Sequence, residues 1–260
     1  MSACVLCIHS FGSNWRQYRG LAARLAPRLR VIAPDLYGHG ETPAWQGKGH
    51  ATLADEAAAL EALLPKDAPV HLVGHSYGAA VALHIAAARR LRVRSMALYE
   101  PAIWGTLAQL CPGDAGTREI EAVRDDTLRL LQAGELAAAS ERFIDYWAGP
   151  GTWAATPEGR RPKLMQTVRL LQDGWHATFS ERWTARALRS LHIPCLLLSG
   201  THSTAAAQRA LRILRDTLPD ARVVELDGLG HMGPITHPPL VDAAIASFLA
   251  QDVEQVSKAA

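Results

Sequence analysis

The 260-residue chain is long enough for one large domain with an inserted subdomain and short for two independent ones. Its 48% apolar and 20% charged residues are ordinary for a globular protein, and 27 basic against 25 acidic side chains leave a net charge of +2. No basic stripe is present and the most apolar stretch, residues 79–88, is too short to span a bilayer and carries His84, so neither nucleic acid nor membrane is an expected partner.

The N-terminus lacks a basic start and a cleavage-site pattern after a long apolar core. No signal peptide is therefore expected, and the chain reads as cytoplasmic with reduced thiols. Cys4 and Cys7 form a C-x-x-C, but they lie in an apolar run that reads as a buried strand, where residues three apart point to opposite faces. No second C-x-x-C exists, and Cys111 and Cys195 are isolated, so no metal site is expected.

In chain order, residues 5–9 read as a strand, followed by a Gly-Ser-Asn turn and a helix near residues 15–25. Residues 30–33 form a second strand ending in Pro34-Asp35. Residues 53–64 are helical, apolar at Leu53, Leu60, Leu63 and Leu64, and Pro65 marks the end. A strand at 70–73 runs into Gly74-His75-Ser76-Tyr77-Gly78 and an Ala-rich helix at 79–89. Strands at 93–99 and 194–199, a helix near 205–218, a strand at 222–226 and a helix at 241–249 complete the series. This βαβα alternation predicts a parallel sheet covered by helices on both faces. It breaks between about Trp104 and Leu188, where no convincing strand occurs. Residues 119–131, 136–147, 164–171 and 179–188 have helical spacing, with a looser Gly/Pro-rich stretch at 149–162. The block reads as a helical insertion.

The strongest chemical signal is Gly74-His75-Ser76-Tyr77-Gly78, a G-x-S-x-G between strand and helix. A serine there sits on a tight, strained turn with its hydroxyl above the sheet, and the Tyr77 N–H at the helix start points at a developing oxyanion. His9-Ser10-Phe11-Gly12 ends the first strand. With the elbow, it makes the chain resemble the α/β-hydrolase family, which usually has His-Gly at this turn. The resemblance implies Phe11 as the second oxyanion donor, with Ser10 in place of the glycine; the alternative is a plain strand-to-helix turn. Asp35-Leu-Tyr-Gly38-His39-Gly40 also resembles the family and reads as a turn, with His39 structural and Asp35 bonding its own turn's backbone.

Gly228-Leu-Gly230-His231-Met232 resembles the family's histidine loop, which makes His231 the general base for Ser76. His75 is expected to point away, and His71, His84 and His192 to be packing or surface residues. The family commonly places an Asp after the penultimate strand. Here Ser203 stands in that register, with no carboxylate nearby. Some relatives, haloalkane dehalogenases among them, carry the acid at the end of the strand after the elbow helix, and Glu100 matches that position. Glu100 either completes the triad or only caps the entrance to the insertion.

The resemblance thus implies an α/β class, with a mostly parallel sheet of about six strands flanked by helices, and lacks the family's usual first two strands. Residues 1–103 and 189–260 form the core and 104–188 a helical cap, in which Trp104, Trp147, Trp153, Trp175 and Trp183 serve mostly to pack cap on core. The expected function is a serine hydrolase acting on a carboxylic ester or related acyl bond of a small molecule, through an acyl-enzyme, with no cofactor. The same triad also serves carbon–carbon bond hydrolases, thioesterases and acyltransferases, and the fold can carry a non-catalytic small-molecule binder. Epoxide hydrolase and dehalogenase chemistry is disfavoured, because relatives performing it use Asp where Ser76 stands. The strand at 30–33 lacks its usual neighbour, so a homo-oligomer formed over that edge is an expectation.

Overall fold

The computed structural model describes residues 3–259 apart from Pro27 and Lys66. Six strands make one sheet: β1 (Cys4–Ile8), β2 (Arg30–Ile32), β3 (Val70–His75), β4 (Val93–Tyr99), β5 (Cys195–Gly200) and β6 (Ala221–Leu226). Their order is β2-β1-β3-β4-β5-β6, and every neighbouring pair is parallel. Strands β1, β3 and β5 are buried along their whole length, which is why they read as continuous apolar runs. Cys4 packs with Leu6 and Ile8 on one face while Cys7 packs with Val5 on the other. Burial pushes both thiols up, so neither is a ready nucleophile or ligand.

Helices α1 (Arg19–Leu25), α2 (Leu53–Glu61) and α3 (Tyr77–Ala88) connect the first four strands. The helix expected from residue 15 opens as a 3-10 turn, Trp15–Tyr18, because the Asn14 side chain caps Arg16 N–H. Thr52 and Asp55 form a capping box that starts α2. The small residues of α3 let it lie buried against the sheet centre, with Ala79, Ala80, Val81 and Ala82 all inaccessible.

The segment between β4 and β5 is helical throughout. It comprises α4 (Trp104–Leu110), α5 (Ala115–Gln132), α6 (Leu136–Ala148), α7 (Thr152–Ala155), a 3-10 turn at Glu158–Arg160, α8 (Arg161–Val168), α9 (Leu171–Ser180) and α10 (Ala185–Arg189). Several details differ from the sequence reading: α4 and most of α9 lie where the sequence predicts no helix, and the helix predicted over 164–171 is divided between the end of α8 and the start of α9. The loose stretch at 149–162 contains a short helix and a 3-10 turn. The helix expected over 179–188 is broken, because Trp183 N–H donates to Thr106 Oγ1 of α4 at 2.9 Å and Thr184 then caps α10. The chain ends with α11 (Ala205–Thr217), α12 (Gly233–Thr236) and α13 (Pro238–Ala259). Among the described residues, no helix is long and apolar enough to cross a membrane.

Helices α2, α3 and α11 contribute to the core on one face of the sheet. The other face is covered by α1 and α13. From β1 the chain goes outward to β2 and then returns to β3 on the opposite side, so a crevice opens at the carboxyl ends of β1 and β3. The edge strand β2 has only three residues, and a short edge offers little to pair with.

The crevice depends on a close approach of α3 to β1. A Cβ on Gly78 would lie 2.2 Å from the Ile8 carbonyl oxygen and 2.4 Å from that of His9. Both obstacles are backbone, so the neighbour cannot yield by changing rotamer. Gly78→Ala is therefore expected to destabilise the protein by about 1–3 kcal/mol. A urea midpoint equal to that of the parent would show that helix and strand can separate freely.

Candidate active site

Ser76 stands between β3 and α3 with φ 54° and ψ −114°, a conformation rare for a residue with a side chain. Its backbone is tied down in several directions. The Ser76 N–H donates to Tyr99 O at 2.9 Å, and Ser76 O accepts from Ala79, Ala80 and Ala102 N–H at 3.0, 3.1 and 3.1 Å. Gly74 allows the turn, since a Cβ there would lie 2.5 Å from the Ala79 Cα. The side chain is buried but faces a cavity.

His231 Nε2 lies 3.0 Å from Ser76 Oγ, and His231 Nδ1 lies 2.7 Å from Glu100 Oε2. Three sequence positions separated by up to 155 residues thus meet in one chain of hydrogen bonds. Glu100 is completely buried, at the end of β4, also with a positive φ of 43°. Its second oxygen, Oε1, accepts from Gly200 N–H at 2.9 Å, from Ser199 Oγ at 3.2 Å and from Ser203 Oγ. Ser203 therefore does not compete with Glu100 for the imidazole; it donates to the far side of the same carboxylate.

The loop carrying His231 is fixed by Tyr99, which the sequence reading left out, and by His75, to which it gave no such role. Tyr99 Oη donates to Gly230 O at 2.7 Å. His75 does point away from the cavity, but it is not idle, because its Nε2–H reaches His231 O at 2.9 Å. Its Nδ1 takes the Gln17 amide at 3.2 Å. Burial and the nearby His231 hold the His75 imidazole well below its usual range, so it stays neutral in this role. His75 and Tyr99 are register partners at the ends of adjacent strands, a pairing that only the folded sheet sets. Trp147 of α6 lies against His231, with ring centroids 4.1 Å apart.

Phe11 and Tyr77, the expected oxyanion donors, line the same cavity as Ser76. Among the described residues, neither N–H is taken by a protein acceptor. The turn of Phe11 is shaped by two histidines. Gly12 N–H donates to His39 Nε2 at 3.0 Å, and His39 Nδ1–H donates to Tyr37 O at 2.8 Å. His9 Nε2 accepts from Leu36 N–H at 3.1 Å. Burial lowers both imidazoles, His9 to about 4, which keeps the ring nitrogens free to accept. Asp35 accepts from Glu41 N–H and from Trp15 N–H, so this motif is a turn that braces the Phe11 loop. His71 pairs with Ser95 and His84 with Glu181, away from the cavity.

The cavity measures about 440 Å3. Ser76, His231 and the two candidate donors form its floor, and Phe143, Trp147, Val168 and Trp175 of the insertion form much of its apolar wall. Three of the five tryptophans, Trp104, Trp147 and Trp175, line it, whereas Trp153 and Trp183 only pack. Among the described residues of the lining, Arg160 is the only arginine, lysine or carboxylate side chain.

A family model described as "Alpha/beta hydrolase family" matches residues 5–244. The chain belongs to the α/β hydrolase family. The Mycobacterium tuberculosis protein named lipase LipV is 44% identical, over 39% of this chain and 38% of its own length. A Mesorhizobium japonicum haloalkane dehalogenase is 27% identical over 96% of this chain and 85% of its own. A Neisseria meningitidis pimeloyl-[acyl-carrier protein] methyl ester esterase is 27% identical over 94% of this chain and 93% of its own. In fold, the chain superimposes on MGS-M2, an alpha/beta hydrolase from a deep-sea metagenome library, with a TM-score of 0.75 and 17% identity, covering 96% of this chain and 90% of that one.

In this α/β hydrolase a second buried carboxyl group lies outside the serine constellation. Glu56 of α2 is 3% exposed, beneath Tyr77, and Tyr37 N–H approaches it at 3.4 Å. Burial raises its pKa from 4.5 to about 7. Because the folded value exceeds the unfolded one, its contribution to stability is complete below 4.5 and is lost as pH rises through about 7. The stability of the parent relative to Glu56→Gln should therefore fall over this interval, by about 3 kcal/mol at most. Urea unfolding of both proteins at pH 5 and pH 7.5 measures the difference, and histidine titrations common to both cancel. A pH-independent difference would mean that Glu56 is ionised throughout.

Proposed function

We propose that this α/β-hydrolase-family enzyme is a serine hydrolase that cleaves a carboxylic ester of a small molecule through an acyl-enzyme. The observation that carries the reading is the hydrogen-bonded chain Ser76 Oγ, His231 Nε2, His231 Nδ1, Glu100 Oε2, with links of 3.0 and 2.7 Å. In the proposed first step Ser76 Oγ attacks the carbonyl carbon as His231 Nε2 takes its proton. The carbonyl electrons move onto oxygen, where the N–H groups of Phe11 and Tyr77 receive the charge. Collapse of the tetrahedral intermediate expels the alcohol, protonated by His231. Water, deprotonated by the same imidazole, then attacks the acyl carbon and returns Ser76 to its free form. Glu100 fixes the tautomer of His231 and offsets the positive charge it acquires. Residues 104–188 act as a cap that supplies the walls around the substrate.

The names of two relatives, a lipase and a methyl ester esterase, favour ester cleavage. Displacement of halide by an aspartate is not favoured, because Ser76 occupies the elbow. Carbon–carbon bond hydrolysis, thioester hydrolysis and acyl transfer use the same groups and differ only in what fills the cavity. A purely binding role is disfavoured by the arrangement of Glu100: burying a carboxylate under three donors to orient one imidazole has no use unless that imidazole accepts a proton.

With p-nitrophenyl butyrate as substrate, Ser76→Ala should lower kcat by about three to six orders of magnitude with folding intact. Labelling by a fluorophosphonate probe should vanish in the same variant. Glu100→Gln should cost about a thousandfold or more in kcat. Ser203→Ala, which removes one donor to Oε1, should cost about tenfold. Hydrolysis that persists in purified Ser76→Ala would sink the assignment.

A further inference from the structure

His231 is reached by two hollows. The first is the cavity of Ser76, about 440 Å3 and mostly apolar. The second is an outer cleft of about 770 Å3, lined by Glu141, Arg142, Asp145, His202, Ser203 and Thr204 among others. Ser76, Phe11 and Tyr77 line the first and not the second, so the reacting carbonyl belongs to the first. The two linings share three residues, Trp147, Ala148 and His231. Ala148 brings one methyl group. His231 is held through both ring nitrogens. Trp147 is therefore the one large side chain of the dividing wall that the site could change without losing its base.

The indole is also well held as a wall. It stacks on Trp104 with a centroid distance of 5.8 Å and an interplanar angle of 22°, and Tyr146 meets it edge-on at 4.5 Å. It also meets the imidazole of His231, with ring centroids 4.1 Å apart. Trp104 is fully buried and Phe143 packs at 6.3 Å, so the ring is braced from the core side as well as from α6. A side chain braced in this way fixes the boundary of the space beside Ser76 and admits little adjustment.

We infer that Trp147 is a specificity-determining residue: it closes the Ser76 cavity against the outer cleft and so sets the longest unbranched apolar chain that the site accepts. The inference rests on the proposed function for its meaning as substrate selection, but the wall itself can be tested without turnover. In a Ser76→Ala background, unbranched carboxylic acids from four to fourteen carbons are titrated calorimetrically. Affinity should rise about fourfold per carbon, the value of one buried methylene, until the cavity is full, and then level off. Adding Trp147→Ala should move the levelling point to chains at least two carbons longer. Trp147→Leu, which keeps an apolar group against His231, should move it in the same direction, and it carries the test if the alanine variant does not fold.

In the parent background the same substitutions should move the preference among p-nitrophenyl esters toward longer chains. A levelling point that stays in place in either folded variant overturns the inference. So does an ester profile lowered equally at every chain length, since the indole would then only support the imidazole. If the parent hydrolyses no ester, the proposed function fails while the binding titration still decides whether Trp147 is the wall.

Discussion

A serine held at positive φ between a strand and a helix is unfavourable by about 1–3 kcal/mol unless its surroundings leave it no alternative. Here those surroundings are backbone. Tyr99 of β4 accepts the Ser76 N–H, and Ala79, Ala80 and Ala102 donate to its carbonyl. The turn can be this tight only because Gly74 and Gly78 present no Cβ to α3 and β1. The rest of the site depends on this constraint. The same turn exposes Oγ to the cavity, brings the Tyr77 N–H beside it, and draws α3 to the end of β1 from which Phe11 departs.

The second requirement is electrostatic. A carboxylate taken wholly out of water is costly unless its lone pairs are met. Glu100 meets the condition through an unequal division of labour. One oxygen takes three donors from the β5 end and the loop after it, and the other is left for His231. Ser203, in the register where the family resemblance implies a carboxylate, is instead part of the cradle around the Glu100 carboxylate at the end of β4. The longer glutamate side chain gives the reach that this different origin needs.

The histidine loop shows how a site on loops obtains precision from a sheet. His75 and Tyr99 end adjacent strands and face away from the cavity, and each bonds a carbonyl of residues 230–231. The imidazole is thus fixed from behind by strand residues, in plane by Glu100, and on one face by Trp147. In the proposed reaction the imidazole takes and gives a proton at one point, and such fixing serves that role, because misplacement by about an ångström is expensive in rate.

The order of strands and helices and the helical interruption were legible in the sequence, which also singled out Ser76, His231 and Glu100, the three side chains that the fold brings into one hydrogen-bonded chain. Each announces itself locally, through period, glycine spacing or position at a strand end. What lay beyond the sequence was everything that depends on which distant groups meet. Nothing local says that His75 holds the backbone of residue 231, that His39 accepts from Gly12, or that Ser203 turns toward Glu100. The break at residues 181–184 was hidden for the same reason, since its cause is a hydroxyl 77 residues earlier. The tryptophans make the point most plainly. Their abundance in the insertion was visible, but only packing decided that Trp147 stands on His231 between two hollows while Trp153 and Trp183 serve to fill space. Periodicity and turn chemistry are properties of neighbours along the chain, whereas a site is a property of neighbours in space, and only the tertiary fold decides those.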